Sequence, residues 1–501
     1  MSNAGASNSN ASPSAAQRLT GGKSTTLPGR EKSPLDADKY PVAPEGLELA
    51  QVQVFVRHGE RTPVGIRLSK APASIPEHWM VCKTARRLKT ALSSGAGSDY
   101  AASLAGTDAV RQPQDLLDIL NPRVVEQIDG KKESGECLLG ELTDVGRQST
   151  YNYGKSLRSI YIDKLGFLPD SLQDSSDVYC RSTNMPRTIE SLQQIIHGLY
   201  PTEKCNPKSI PPLFIRNGKD ETLLGNTYAC KRLEILLLGF AKAAASAYNP
   251  TLESLDKKLA KFNEGNPIRV DGKPRASGIL DTLRAAAAHG IKIPSEFEDK
   301  AVVDVIERAV VNEWFAGYKT EEVRRLGMGR LLRDASLNFE RAAAASSSSY
   351  RKPSSSNGPR GDENSNGGDD DDETPVPKMM VHSTHDTALA GLCSTLDVFD
   401  EKWPEFTASI TFELFKKSDP AEAAGSKSYM QSVFSPFSKT PAEFFVRMRY
   451  QNRSLPLPFC GAEGKHLEGS PEFCTLEAFK ERVKELTPED WEVECSPAGR
   501  S

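Results

Sequence analysis

The chain has 501 residues, of which 38% are hydrophobic and 26% charged, and its 63 basic and 67 acidic side chains give a formal net charge of −4. This length accommodates roughly two to four domains and a sizeable apolar core. The near balance of charge excludes the chain-wide basic surface that binds nucleic acid. No run of about 18 apolar residues occurs, so we predict no transmembrane segment.

The first 43 residues are predicted to form a disordered tail. They are rich in Ser, Asn, Ala and Gly, and the first thirty lack the apolar core of a secretory leader. Basic residues without an acid before Glu31 also match the composition of mitochondrial transit peptides. The cytoplasm is therefore the expected compartment, and the mitochondrion is the alternative.

The nine cysteines are scattered and include no CxxC pair. This pattern argues against a zinc ribbon and does not by itself establish a disulfide framework. With no secretory leader expected, reduced thiols are the default prediction.

The chain then alternates between strand and helix patterns. Leu47–Val56 alternates apolar and polar residues before becoming continuously apolar, which predicts a buried strand that ends at Arg57. Two shorter strands are predicted at Asp177–Cys180 and Met379–Val381. Helical spacing follows Thr143.

The C-terminal part predicts further strands. Ile410–Leu414 and Val446–Tyr450 alternate and suggest an antiparallel pair near the sheet edge, followed by a helix behind Thr475. Residues 44–501 are predicted to form one domain with an all-helical insertion at 228–341. The Ser-rich and acidic segment 342–377 is predicted to be a disordered loop. The pattern is that of an α/β protein.

Charged and titratable residues follow three of the predicted strands. Since ligands bind at the carboxyl ends of strands in open α/β sheets, we expect these residues to share one crevice. The guanidinium fork of Arg matches phosphate oxygens, a neutral imidazole can attack phosphorus, and a carboxyl group can protonate the leaving alkoxide. The residues are Arg57, His58, Arg61, Arg181, His385 and Asp386.

Segment Arg57–Pro63 resembles the RHGxRTP signature of the histidine acid phosphatases. Leu142–Gly146, Arg181–Thr188 and His385–Thr387 follow in the order of that family, and the similarity extends over roughly 47–495. It implies an α/β fold with a phosphoglycerate-mutase-like open sheet, flanking helices and a helical cap insertion. Within the family, Val398–Pro404 is most similar to the lysophosphatidic acid phosphatase branch, as is the block 140–200.

The resemblance also implies roles for single residues, without a metal or cofactor. Two roles are open for Arg187, which either orients the pocket loop or packs the start of a helix. Cys460 and Cys474 resemble a pair that is bridged in secreted relatives. By similarity, His58 is the nucleophile, Asp386 is the proton donor, and the phosphate-binding residues are Arg57, Arg61, Arg181 and His385.

The predicted function is a metal-independent acid phosphatase that acts through phosphohistidine on a small phosphomonoester, with a lysophosphatidate-like lipid preferred. The alternatives are a broad acid phosphatase or phytase-type hydrolase, a phosphomutase, and a non-catalytic phospho-ligand binding protein. The partly apolar stretch 63–79 forms either a wall of the substrate pocket or a packing surface for the helical insertion.

Overall fold

The structure is a computed structural model in which residues 35–83, 124–133, 135–347, 375–418 and 442–497 are described. The strands of this part of the chain are β1 (Leu47–Arg57), β2 (Val125–Glu126), β3 (Lys132–Glu133), β4 (Val178–Ser182), β5 (Leu213–Ile215), β6 (Met379–Thr384), β7 (Ser409–Lys417), β8 (Phe444–Tyr450), β9 (Arg453–Leu455), β10 (His466–Leu467) and β11 (Ser470–Thr475).

Helices flank the sheet and fill the region between β5 and β6. The α-helices of the described ranges are α1 (Asp144–Arg158), α2 (Pro186–Leu199), α3 (Lys231–Leu252), α4 (Asp256–Leu259), α5 (Ala276–Ala288), α6 (Lys300–Phe315), α7 (Glu321–Arg324), α8 (Arg330–Ser347), α9 (Asp386–Thr395), α10 (Leu476–Leu486) and α11 (Trp491–Glu494).

The main sheet is mixed, and among the described residues it has nine strands in the order β10-β11-β8-β7-β1-β6-β4-β5, with β9 beside β8. Strands β1, β6, β4 and β5 run parallel to one another, whereas β7 and β8 are antiparallel. The antiparallel pair was expected near the sheet edge, but β7 pairs directly with the central strand β1. The predicted α/β fold is confirmed.

Each face of the sheet is covered by helices. Val52, Val54 and Val56 of β1 belong to the core that includes α1 and α2. The side chain of Phe55 projects from the opposite face of the sheet and packs in the core that contains α8, α9 and α10. Because side chains alternate along a strand, a residue's place in its strand decides which of these two cores it enters.

The segment predicted as a cap is helical from α3 to α8, with short 3-10 and π turns. Its core includes Ile279 and Leu280 of α5 and also buries Ile75 and Trp79. The later part of the stretch 63–79 therefore packs against the insertion. Helix α8 continues to Ser347 and so includes residues 342–347, the first six of the predicted loop. Residues 348–374 of that loop lie outside the described part of the chain.

The predicted tail also differs from the structure at its C-terminal end. Leu35 and Tyr40 are buried, and the Tyr40 hydroxyl donates to Glu413 Oε1 over 3.1 Å. Arg447 donates to the Pro41 carbonyl oxygen over 2.6 Å. Residues 35–43 thus belong to the fold, whereas residues 1–34 lie outside the described part of the chain.

Six cysteines form disulfides, contrary to the expectation of reduced thiols. The pair Cys460–Cys474, suggested by the family resemblance, is one of them. No helix in the described ranges is long and apolar enough to cross a membrane. The other two disulfides are Cys82–Cys137 and Cys230–Cys495.

Candidate active site

The carboxyl ends of β1 and β6 bring two of the predicted clusters together. The strands are adjacent and parallel, and the His58 N–H donates to the Thr384 carbonyl oxygen over 3.0 Å. The ring centroids of His58 and His385 lie 5.6 Å apart. These residues are separated by more than 300 positions, and strand pairing alone makes them neighbours.

The loop that carries His58 rests on the first turn of α1. A Cβ atom on Gly59 would overlap the Gly146 carbonyl oxygen, and one on Gly146 would overlap the backbone of Glu60. Thr143 caps this helix by accepting from the Gly146 N–H over 3.2 Å. Backbone therefore packs directly on backbone, and neither glycine tolerates a side chain without displacement of the loop.

His58 is held in one tautomer and kept neutral. Its Nδ1 lies 2.9 Å from the Gly59 carbonyl oxygen, which can only accept, so Nδ1 carries the proton and Nε2 keeps its lone pair. Burial lowers the pKa of His58 well below 6.5, and the nearby charges of Arg57, Arg61 and Arg187 lower it further. The imidazole is therefore an uncharged base.

Arg57 and Asp386 form an ion pair in the floor of the site. Arg57 Nη2 lies 2.6 Å from Asp386 Oδ2, and Arg57 Nη1 donates to the Pro404 carbonyl oxygen over 2.7 Å. The guanidinium also lies 4.1 Å from the centre of the Phe406 ring. These contacts fix its plane and its position.

Asp386 is the first residue of α9 and also accepts hydrogen bonds from Trp403 Nε1 over 3.0 Å and from the Thr387 N–H over 2.8 Å. Burial raises the pKa of Asp386, but Arg57 and Arg61 outweigh that effect, so the pKa lies below its ordinary value. His385 lies 3.0 Å from the Thr183 hydroxyl, and its pKa is lowered to about 3 by burial and neighbouring arginines. The Asp386 carboxylate thus lies beside two neutral imidazoles.

Arg61 is paired with a carboxylate of the helical insertion. Its Nη1 lies 2.9 Å from Oδ1 of Asp281 in α5. The side chain of Arg187, in the first turn of α2, has no hydrogen-bond or ion-pair partner within the described part of the chain, and its Nε is buried. Burial and the neighbouring Arg61 lower its pKa to about 10. An unpaired, largely buried guanidinium next to two others is a group that an anion would stabilise.

Arg181, by contrast, does not join this site, although the sequence predicted that it would. It is in register with His382 of β6, and both side chains line a cavity of about 720 Å³ beside α8. There Arg181 Nη2 lies 2.6 Å from Glu221 Oε1 and 3.0 Å from the Thr222 hydroxyl. Strand alternation sends it to the face of the sheet that also holds Phe55.

Arg187 takes the place expected for Arg181. The signal was present in the sequence, because Arg187 and Thr188 belong to the family-like segment that begins at Arg181. Trp403 and Asp281 were not predicted as site residues. Among the described residues, no group of three or more His, Cys, Asp or Glu side chains is placed to hold a metal ion.

Comparison with known proteins identifies the family of this chain. Residues 48–451 match the family described as histidine phosphatase superfamily, branch 2. The chain belongs to this superfamily. A protein of Schizosaccharomyces pombe named "Probable acid phosphatase" is 33% identical to this histidine phosphatase over 91% of this chain and 95% of its own length.

More distant relatives extend the comparison. The lysophosphatidic acid phosphatase type 6 of Bos taurus is 23% identical over 91% of this chain and 88% of its own length. The fold is also that of the Hafnia alvei phytase, with a TM-score of 0.50, 14% identity, and coverage of 89% of this chain and 98% of the phytase. The predictions of a histidine phosphatase fold and of an acid phosphatase are confirmed.

Proposed function

We propose that this histidine phosphatase hydrolyses phosphomonoesters through a phosphohistidine at His58, without a metal, and that its preferred substrate is a lysophosphatidate-like lipid. The observation that carries the proposal is the neutral Nε2 of His58 beside the unpaired guanidinium of Arg187. The pair combines a nucleophile that keeps its lone pair with a cation that has no carboxylate bound to it.

In this mechanism the phosphoryl oxygens bind to Arg57, Arg61, Arg187 and His385. Hydrogen bonds from charged donors are roughly twice as strong as neutral ones, and the guanidinium fork suits phosphate. The three arginines also neutralise the oxygens that would otherwise repel an incoming lone pair.

His58 Nε2 then attacks phosphorus and the bond to the ester oxygen breaks. Asp386 gives its proton to the leaving oxygen, and afterwards it takes a proton from the water that cleaves the phosphohistidine and releases phosphate. The neighbouring arginines favour the ionised form of Asp386. A bound phosphoryl anion offsets their charge and raises the proton affinity of this carboxylate, in accord with catalysis at acid pH.

Four exposed apolar side chains next to the phosphate site support a lipid substrate. They lie on two segments joined by hydrogen bonds from Gly140 N to the Pro63 carbonyl oxygen (2.9 Å) and from the Thr62 hydroxyl to the Leu138 carbonyl oxygen (2.7 Å). Exposed apolar groups of this kind suit an acyl chain. We call them the apolar rim: Val64, Ile66, Leu138 and Leu139.

The other functions considered differ in what they require. A phytase-type hydrolase needs further cations around the phosphate site, and the apolar rim supplies none there. A non-catalytic binding protein needs neither His58 nor Asp386, both of which face the arginine cluster. A phosphomutase needs exclusion of water from the phosphohistidine.

The test measures phosphate release in EDTA at mildly acidic pH from lysophosphatidate, p-nitrophenyl phosphate and phytate. We expect release from the first two, and loss of nearly all activity in His58→Ala. His197→Ala, which changes an exposed histidine of α2, is the matched control. A His58→Ala variant that retains more than a few per cent of the wild-type activity would refute the nucleophile assignment. Phosphate release that is fastest from phytate would refute the lipid assignment.

The compartment is part of the proposal. The cytoplasm and the mitochondrion were expected from the sequence, but three disulfides favour an oxidising compartment over the reducing cytoplasm. Peptide mapping of protein purified from its source under non-reducing conditions tests this, because a fully reduced chain would restore the cytoplasmic prediction.

A further inference from the structure

The carboxylate of Asp281 stands between the helical insertion and the phosphate site. We infer that Asp281 selects substrates by charge, so that the site accepts an isolated phosphate with an uncharged remainder and rejects clustered phosphates. This inference rests on the proposed function, and it identifies the charge on the uncleaved part of the substrate as the property by which the site distinguishes its substrates.

Asp281 is fixed by contacts to both of its oxygens. Oδ1 lies 2.9 Å from Arg61 Nη1, and Oδ2 accepts from the Val64 N–H over 3.0 Å. Arg67 Nη1 lies 3.9 Å from the same Oδ2. The side chain is 17% exposed, so it is held at the border of the site and is not sealed inside it.

Arg67 is itself held against α5. Its guanidinium fills the space above Gly278, one turn before Asp281, where any Cβ atom would overlap it. The arginine that could have attracted a second phosphate is therefore folded back onto the insertion, with its charge close to that of Asp281.

The pairing of charges defines what the site can accept. Arg57 is bound to Asp386 and Arg61 to Asp281, whereas Arg187 has no partner among the described residues. One phosphoryl group pairs with Arg187, and it shares Arg57 and Arg61 with the carboxylates that already bind them. A second phosphate on a neighbouring carbon would meet a fixed carboxylate where a polyphosphate site needs a cation.

The side chains next to Asp281 favour the same class of substrate. Val64, whose N–H binds the carboxylate, exposes half of its side chain and belongs to the apolar rim. A remainder without charge gains apolar contact there and loses nothing to repulsion. The combination of one carboxylate and an apolar surface thus sorts phosphomonoesters by the charge of the part that is not cleaved.

The test compares Asp281→Asn with the wild type on p-nitrophenyl phosphate, lysophosphatidate and inositol hexakisphosphate. We expect kcat/KM for the hexakisphosphate, relative to that for p-nitrophenyl phosphate, to rise about tenfold, which corresponds to about 1.4 kcal/mol. Added salt screens the carboxylate, so the difference in this ratio between the variant and the wild type should shrink as ionic strength rises. Asp334→Asn, which removes a carboxylate 3.1 Å from Arg216 outside the site, is the matched control.

An equal loss of kcat/KM for all three substrates would show that Asp281 only positions Arg61, and it would overturn the inference. A ratio unchanged from the wild type would overturn it as well. Calorimetric titration of His58→Ala, with and without Asp281→Asn, provides a readout that needs no turnover. Adding Asp281→Asn to His58→Ala should raise the affinity for inositol hexakisphosphate relative to that for inorganic phosphate. Absence of turnover in the wild type would refute the proposed function, while the titration would still decide the role of Asp281.

Discussion

Arg181 and Arg187 are six residues apart, and the same substitution should have opposite consequences at the two positions. Arg187→Gln removes an unpaired guanidinium from the phosphate site, so we expect it to reduce activity and leave stability nearly unchanged. Arg181→Gln leaves the buried carboxylate of Glu221 without its cation, so we expect it to reduce stability and leave the phosphate site intact.

The magnitudes follow from the contacts. Hydrogen bonds to charged groups contribute about 1.5–3 kcal/mol, so losing the Arg187 contact to a phosphoryl oxygen should lower kcat/KM by about 10- to 150-fold. Removing one partner of a buried ion pair costs about 3–5 kcal/mol, which is the expected loss of unfolding free energy for Arg181→Gln.

The assay measures kcat/KM for p-nitrophenyl phosphate and the melting temperature of each variant side by side. Activity is normalised to the folded fraction, so that a loss of stability in Arg181→Gln is not counted as a loss of catalysis. A large drop in normalised kcat/KM for Arg181→Gln, with Arg187→Gln active, would refute the assignment of the two arginines.

Three further predictions concern the proton donor, the buried charges and a disulfide. Trp403→Phe removes a donor to Asp386 and should raise its pKa, so the basic limb of the kcat–pH profile should move to higher pH; an unmoved limb would contradict this. Burial opposes ionisation of Glu413, but the arginines beside it lower its pKa to about 2. The ordinary pKa of Glu in the unfolded chain is about 4.3. The ionised Glu413 therefore stabilises the fold fully above about pH 4.3, and this contribution is lost as the pH falls towards 2. Glu413→Gln should therefore lower the free energy of unfolding by about 3–5 kcal/mol at neutral pH, as measured by denaturant unfolding. Below about pH 4, the free energy of unfolding of this variant should fall less steeply with pH than that of the wild type. Replacing Cys230 and Cys495 by Ser opens a link across 265 positions and should lower stability by about 2–4 kcal/mol, whereas an unchanged melting temperature would contradict the pairing.

Much of the site could be predicted because its residues stand at strand ends. The apolar run before Arg57 and the short strand before His385 locate two carboxyl ends, and parallel pairing of these strands does the rest. Arg181 also ends an apolar run, yet its direction depends on strand register and on a helix that comes about 150 residues later. A local pattern contains neither piece of information.

The ordered end of the tail and two of the three disulfides were not predicted, for a related reason. Residues 35–43 have no periodicity of their own, and Tyr40 is buried only because Glu413 and Arg447 on distant strands offer it partners. Cysteine pairing is equally non-local, since six cysteines alone allow fifteen arrangements. The Tyr40–Glu413 contact joins positions 373 residues apart, and the disulfides Cys230–Cys495 and Cys82–Cys137 join positions 265 and 55 residues apart.

The backbone contact between Gly59 and Gly146 has a consequence for how this protein can change. The loop that carries His58 has no room to adapt to a new substrate, so His58 keeps its position whatever ligand arrives. Asp281 and the apolar rim lie outside that contact, on α5 and on surface segments that accept other side chains. Substrate choice can therefore be redesigned by exchanging those positions while the chemical step is left alone, and a library confined to them should yield altered specificity far more often than loss of turnover.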